Sequence, residues 1–536
     1  MKRRFIKSTL VAIVAAVLVT SCFNDIESPE LSRTTQQQEG INPTVLGRKL
    51  ENPFAVEIMR KAYSNLKNGT SGGRVKSEEL DIRTTHFYVK FLPKDSTEVE
   101  TLEKNNQLNL YDYPLDYEII TPGNYYHDPN TPLDQPTPKY TSVPVEFQFN
   151  SSISYQVLAE LYLPNTDMEG TSNGRTNRNL FLEELEDEAL RISGNLNENT
   201  TSANGRTTGR RYNPRGFIRV RNTFTGLLEG VPNVKARVRR WFEVRTAMTN
   251  NTGYFYISES FRHDVNYGVQ FENDQAFIRP AWFGFGPAFI DGPKSDNIWE
   301  YNCERGSDSY LWSVIMRAVH DYHFDFTSRF AIDPPPNGLK IRACGDNNCG
   351  VATMMHQNGQ VFMGPFGAWL FSDLRIGERN ETYRSIYSTT IHELGHAAHW
   401  KLAGDWIIGN NYKMAWAHKL VREGWATAIT DQVHMVKFNE PLYIGCRSIE
   451  EMMDDGYLRV LGRDLIDNVN EFNPGIARCN VQDNVSGFTL SEIFYSLRGA
   501  HGSSTNSAME AWRDNLVDRK PDQRQNLINY FNQFEK

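Results

Sequence analysis

The sequence predicts a multidomain α+β protein: a small N-terminal α/β module, then a β-sandwich, then a mainly helical C-terminal domain. Three observations predict that order. The stretch "GNLNENTTSANGRTTGRR", from Gly194 to Arg211, is almost free of apolar residues and divides the first region from the second. After it, apolar residues recur at every second position in short runs broken by Asn/Gly turns. From about Pro280 the spacing changes to the three-and-four pattern of amphipathic helices. At 536 residues, 39% of them hydrophobic, the chain has material for several cores.

The opening segment, "MKRRFIKSTLVAIVAAVLVTSC", joins a basic start to an apolar run from about Leu10 to Val19. That run is too short to span a bilayer as a mature helix, so residues 1–21 read as an export signal. The residues "LVTS" before Cys22 resemble the lipobox of bacterial lipoproteins. The resemblance implies a diacylated Cys22 as the new N-terminus and an exported protein anchored to a membrane, at the outer membrane or cell surface. No other segment approaches the roughly 18 uninterrupted apolar residues of a membrane helix. Removing the leader takes four positive charges (Lys2, Arg3, Arg4, Lys7) and no negative one from a net charge of -8, leaving -12. Such a balance excludes nucleic acid as the main partner, because phosphate binding needs a basic patch. The longest basic run, "RVRR" (Arg237 to Arg240), is expected on a solvated strand face. Beyond Cys22 five cysteines remain; Cys344 and Cys349 flank a "GDNN" turn and can close a small loop, and Cys446 with Cys479 is a second candidate pair.

Residues 22–76 form a polar tether with one helical stretch, "NPFAVEIMRKAYSNLK". In the module, residues 77–190, "HFYVKFLP" and "LNLYDYPL" have strand composition and "STEVETLEKN" starts a helix at Ser96. The β-α-β run closes near "LAELYLP", and the helix "FLEELEDEALRIS" follows. Residues 191–213 are the linker. Between 214 and 280, "GFIRVRN" places Ile218 and Val220 on one face, and "GVPNVKARV" does the same for Val234, Ala236 and Val238. With the turn-and-strand "TNNTGYFYI", these stretches resemble the carboxypeptidase regulatory-like domain. That resemblance implies a transthyretin-like β-sandwich serving as spacer or folding partner, with no chemistry of its own. In residues 281–536, "SYLWSVIMRAVHDYHFDF" has helical spacing and "AWLFSDLRIG" reads as a strand.

The chemistry concentrates in "YRSIYSTTIHELGHAAHWKLA", residues 383–403, which lack proline and precede Gly404, a helix stop. His392 and His396 are four apart, so their rings leave one face about one turn from each other, close enough to grip one metal ion. Glu393, rotated by about 100°, can reach a water on that ion without ligating it. This is the HExxH pattern, two zinc ligands and a general base. The neighbours Ile391, Leu394, Gly395, Ala397 and Ala398 are small and apolar, so the helix is expected to be buried, and buried imidazoles need partners. His399 shares the face, but about 10.5 Å along the axis from His392, too far for zinc-nitrogen bonds of about 2.0–2.1 Å. It is expected to be a packed or hydrogen-bonded neighbour. A long metzincin motif would place a histidine where this chain has Leu402.

A third ligand must come from elsewhere. Downstream, "MAWAHKLVREGWATAITDQV" is a second helical stretch carrying Glu423, with Gly424 beside it to let two helices approach. His418 and Asp431 are alternatives, and Glu423 itself can instead pair with Arg422 or Lys419. "HELGH" with "EGWA" resembles the gluzincin branch of the zincin metallopeptidases. The resemblance implies Zn2+ held by His392, His396 and Glu423, with Glu393 as catalytic base, in a C-terminal zincin metallopeptidase domain. The chain departs from that branch in two ways. Its gap to Glu423 is longer than in the aminopeptidases, and Thr427 stands where a supporting carboxylate is common, leaving Asp431 as one candidate to orient the imidazoles. The expected function is zinc-dependent hydrolysis of peptide bonds in a peptide or protein substrate, Glu393 activating a zinc-bound water. Tyr495 and His501 are candidates for stabilising the oxyanion. The alternative is a surface binding lipoprotein with a catalytically inactive zincin domain; a third is a precursor with residues 23–213 as prosegment.

Overall fold

The computed structural model describes residues 42–69, 79–164, 177–196, 211–280, 286–343, 353–354, 374–376, 380–403, 416–440, 461–468, 481–500 and 505–534. The leader with Cys22, both candidate cysteine pairs, Gly404 and His501 lie outside these residues, as do about half of the tether and most of the linker. What is described is a mixed α+β chain with several antiparallel sheets and a helical C-terminal region.

The first region holds β1 (Val45–Lys49), α1 (Val56–Lys67), β2 (His86–Leu92), α2 (Ser96–Glu103), β3 (Tyr117–Thr121), β4 (Lys139–Pro144), β5 (Ser154–Leu161) and α3 (Asn177–Ile192). β2 is central in the order β4-β2-β5 and antiparallel to both neighbours, so α2 is not a parallel crossover. The helix does start at Ser96, but its cap is Asp95, whose side chain accepts the Glu98 N–H at 3.0 Å. "LNLYDYPL" is no strand: it contributes one bridge, Tyr111 to Tyr140. Its aromatic side chains are drawn away from strand pairing, Tyr113 donating to Asp291 at 2.8 Å and Tyr111 lying 4.2 Å from the Arg237 guanidinium.

From residue 215 two four-stranded sheets form. In the first, β6 (Arg215–Arg221) pairs with β7 (Leu228–Gly230), β10 (Tyr254–Tyr256) and, in parallel, β14 (Trp299–Cys303). The second has the order β13-β11-β8-β9, from β8 (Lys235–Arg240), β9 (Glu243–Met248), β11 (Val265–Gln270) and β13 (Phe289–Ser295), all antiparallel. Their inner faces meet where Phe255 and Trp299 pack on Tyr267. Ile218, Val220, Val234, Ala236 and Val238 are buried as the period-two pattern requires. The strands β13 and β14 that complete these sheets lie past residue 280. β12 (Ala276–Pro280) instead runs parallel to β15 (Leu339–Ala343) in a separate sheet with β16 (Thr353–Met354) and β17 (Leu374–Ile376).

The "RVRR" run corrects the expectation of a solvated face. Arg237, Arg239 and Arg240 are all buried, because the N-terminal region covers that side of the sheet. Arg237 stacks on Tyr111 and reaches Asp291 at 3.7 Å, Arg239 donates to the Leu115 and Trp241 carbonyls, and Arg240 pairs with Glu186 of α3. Further along α3, Glu183 takes Arg211 at 3.0 Å and Asp187 takes Arg262 at 2.7 Å.

The C-terminal helices are α4 (Asp308–Asp321), which continues through one π-helical turn into α5 (Thr327–Phe330), then α6 (Tyr383–Ala403), α7 (Trp416–Phe438), α8 (Leu461–Asp464), α9 (Leu490–Ser496), α10 (Thr505–Arg519) and α11 (Arg524–Asn532). Their apolar faces and the sandwich interior form one continuous core, from Ile218 to Phe534. Among the described residues no helix is long and apolar enough to cross a membrane. Cys303, the free thiol among them, is buried and accepts a hydrogen bond from the Ser313 hydroxyl at 3.1 Å.

Removing one partner of a buried ion pair strands the other. Arg240→Ala, which leaves Glu186 buried, is expected to cost about 3–5 kcal/mol. It should appear as a lower urea midpoint, and a paired replacement of Arg240 and Glu186 by Met and Leu should restore most of the loss.

Candidate metal centre

Helix α6 spans the residues expected of it, and Ile391, Leu394, Ala397 and Ala398 are at most 2% exposed. The helix is therefore packed on its apolar side, and that packing orients the motif. The His392 and His396 rings stand 4.7 Å apart, edge to face. Helix α7 returns antiparallel and brings Glu423 to them. Its Oε2 lies 3.1 Å from His392 Nε2 and 3.4 Å from His396 Nε2. The three ligand atoms all fall within 4.8 Å of one another, close enough to hold a metal ion, and among the described residues no other His/Cys/Asp/Glu triad does so.

Arg422 lies 4.0 Å from the other oxygen of Glu423, farther than the imidazoles lie from Oε2. Burial acting alone would raise the Glu423 carboxyl. The opposing His396 charge and hydrogen bonds from both imidazoles outweigh it and hold the group well below the usual carboxylate range. Glu393 goes the other way: burial pushes its carboxyl up, the two imidazoles draw it down less, and Glu423 raises it again. Two carboxylates on facing helices thus differ in environment, one held low and one pushed up.

The group fits a cation. His396 is 7% exposed at its side chain, and its Nδ1, like Glu393 Oε2, has no hydrogen-bond partner among the described residues. The unpaired Glu393 oxygen is an acceptor left for a water beside the triad, and two imidazoles with one carboxylate are a donor set suited to a cation such as zinc. His392 and Glu423, at 25% and 24% side-chain exposure, leave one side of the triad open. His399 is buried and outside the triad, as its axial offset requires. Asp431 is also buried and outside it. The side chains of His418 and Lys419 are not among those described. The Tyr495 hydroxyl donates to Asp333 Oδ1 at 3.1 Å and is already committed there.

The glycine that lets the helices meet is not Gly424. A Cβ at Gly424 would face Trp512 and Leu461, on α10 and α8, whereas one at Gly395 would lie 2.9 Å from Ile429 Cγ2 and 3.3 Å from Ala426 Cα, both on α7. Sequence reasoning also passed over Trp425, fully buried, whose indole N–H donates to the Gly395 carbonyl at 2.9 Å and ties the two helices together. A signal for both existed. A glycine inside an otherwise uninterrupted helix costs about 1 kcal/mol against alanine and usually marks a close contact.

A scan of the chain against protein-family models finds no match, and a search of curated proteins finds none either.

On an exposed helix, Gly395→Ala would stabilise. Here the added methyl collides with α7, an overpacking penalty of about 1–3 kcal/mol that exceeds the propensity gain. The variant is expected to melt at a lower temperature than the parent; differential scanning calorimetry decides the sign.

Proposed function

We propose that the chain is a zinc-dependent metallopeptidase of the gluzincin type. One observation carries the reading: a single carboxylate oxygen from α7 sits 3.1 and 3.4 Å from both imidazole nitrogens of the HExxH helix. Two donors on a tetrahedral zinc with bonds of about 2.0–2.1 Å stand about 3.3 Å apart, so the spacing is that of ligands sharing one ion. Two neutral imidazoles and one carboxylate are a donor set that zinc favours, and they leave a position for solvent and substrate. When bound, zinc supplies Lewis acidity, lowering the pKa of a water ligand to about 7 and polarising the scissile carbonyl.

The rest falls to the chain's own side chains. His392, His396 and Glu423 would hold the ion. Glu393, one residue from a ligand and raised in pKa by its burial, takes a proton from the attacking water and passes it to the departing amine nitrogen. The buried flank of α6 keeps bulk water from that carboxylate, which is 4% exposed. The substrate is a peptide or protein. The leader and Cys22 support export and lipid anchorage at a membrane surface, where such an enzyme would meet extracellular polypeptides.

Glu393→Gln keeps the shape of the site and removes the base. It should lower kcat on a generic protein substrate by at least a hundredfold, about 10²–10⁴ being the usual contribution of such a base, while bound zinc stays at wild-type stoichiometry. Retained activity would reject the mechanism. Glu423→Ala is expected to lower zinc content by elemental analysis, and a chelator should abolish hydrolysis in the parent protein. Zinc bound by a parent that cleaves nothing would favour the binding-lipoprotein reading.

A further inference from the structure

The site helices meet sideways through Gly395, but a smooth small-residue contact does not stop one helix sliding along the other. Their axial register is fixed away from the triad. Tyr383 and Tyr387 lie on successive turns of α6, fully buried with rings stacked 5.7 Å apart. Tyr387 donates to Asp321 Oδ2 at 2.8 Å, and Tyr383 donates to Glu229 Oε2 at 3.0 Å. Asp321 closes α4, whereas Glu229 belongs to β7 of the sandwich. Lys437, in the last turn of α7, reaches both acids, Asp321 at 3.3 Å and Glu229 at 3.6 Å. Arg317 completes the group, with Nε 3.2 Å from Asp321 and Nη1 donating to the Gly230 carbonyl at 2.9 Å.

The group holds two acids and two bases, none more than 23% exposed at its side chain. In such surroundings a shift of register leaves a charge unpaired away from water, which is strongly disfavoured. A helix is stiff along its axis, so a register fixed at Tyr387 is transmitted to His392, five residues on.

We infer that Asp321 and Glu229 are positioning residues for the metal centre: they bridge α6 to α7 and fix the register in which one ion meets ligands from both helices. Through Glu229 the β-sandwich is a working part of the site, not the spacer its resemblance implies. The inference rests on the zinc reading of the triad, and the experiment separates the two.

The test uses the full chain, with Zn2+ affinity measured by competition with a chromophoric chelator and the visible spectrum recorded after Co2+ loading, well below each variant's melting point. Asp321→Asn and Glu229→Gln are expected to weaken Zn2+ binding about tenfold, the low end of the effect of groups that support metal ligands, and to shift the Co2+ bands. Tyr387→Phe and Tyr383→Phe, each losing one hydroxyl, should move both readouts the same way by less. They decide the matter should the charge variants not fold. Folded variants with a lower melting point but unchanged affinity and spectrum would reduce both acids to structural groups and overturn the inference while leaving the zinc reading intact. A parent chain that takes up neither metal would remove both.

Discussion

A carboxylate oxygen shared between two imidazoles is the constraint around which the C-terminal half is built. Two of the ligand atoms leave one helix and the third leaves another, so the site exists only while α6 and α7 keep their separation and register. Separation is set by Gly395 against Ala426 and Ile429, and by the Trp425 indole on the Gly395 carbonyl. Register is set by Lys437 and the two tyrosines on the acids of α4 and β7. Lateral contact and axial alignment are separate problems, and the chain solves them with different chemistry: small residues for the first, buried charge for the second.

Buried charge recurs as the means of joining parts. The N-terminal region meets the sandwich through Arg237, Arg239 and Arg240, each placed against acids, carbonyls or aromatic faces of the first region. Arginine suits this role because its planar guanidinium stacks on rings while its edge donates several hydrogen bonds. Apolar burial supplies the bulk of cohesion without direction; the ion pairs penalise misdocked arrangements, since any other docking strands a charge.

How much was legible depended on range. The helix 383–403 and the alternating faces of β6 and β8 rest on periodicity, which neighbouring residues determine among themselves; the switch to helices expected at Pro280 comes only at Asp308, because β13 and β14 pair with strands far back in the chain. Two members of the triad were legible for the same reason, since they share a helical face; the third, Glu423, rested on the resemblance, with His418 and Asp431 as alternatives. What could not be read was any feature whose partner lies far along the chain. "RVRR" looks like a solvated run until Tyr111, Asp291 and Glu186 are placed beside it, at separations of 54 to 126 residues. "LNLYDYPL" has strand composition, yet long-range side-chain contacts override its local preference.

The sequence by itself determined the chemistry on offer: which side chains share a helix face, where a carboxylate stands beside two imidazoles, and which segments alternate or wind. Those follow from the pitch of a helix and the pleat of a strand, fixed by covalent geometry and hydrogen bonding over a few residues. Only the tertiary structure decided which glycine brings the helices together, which charges are buried, and that a strand of the sandwich holds the helix carrying the motif. Each of these depends on burial and on contact between distant residues, and a distance in space is not written in a distance along the chain.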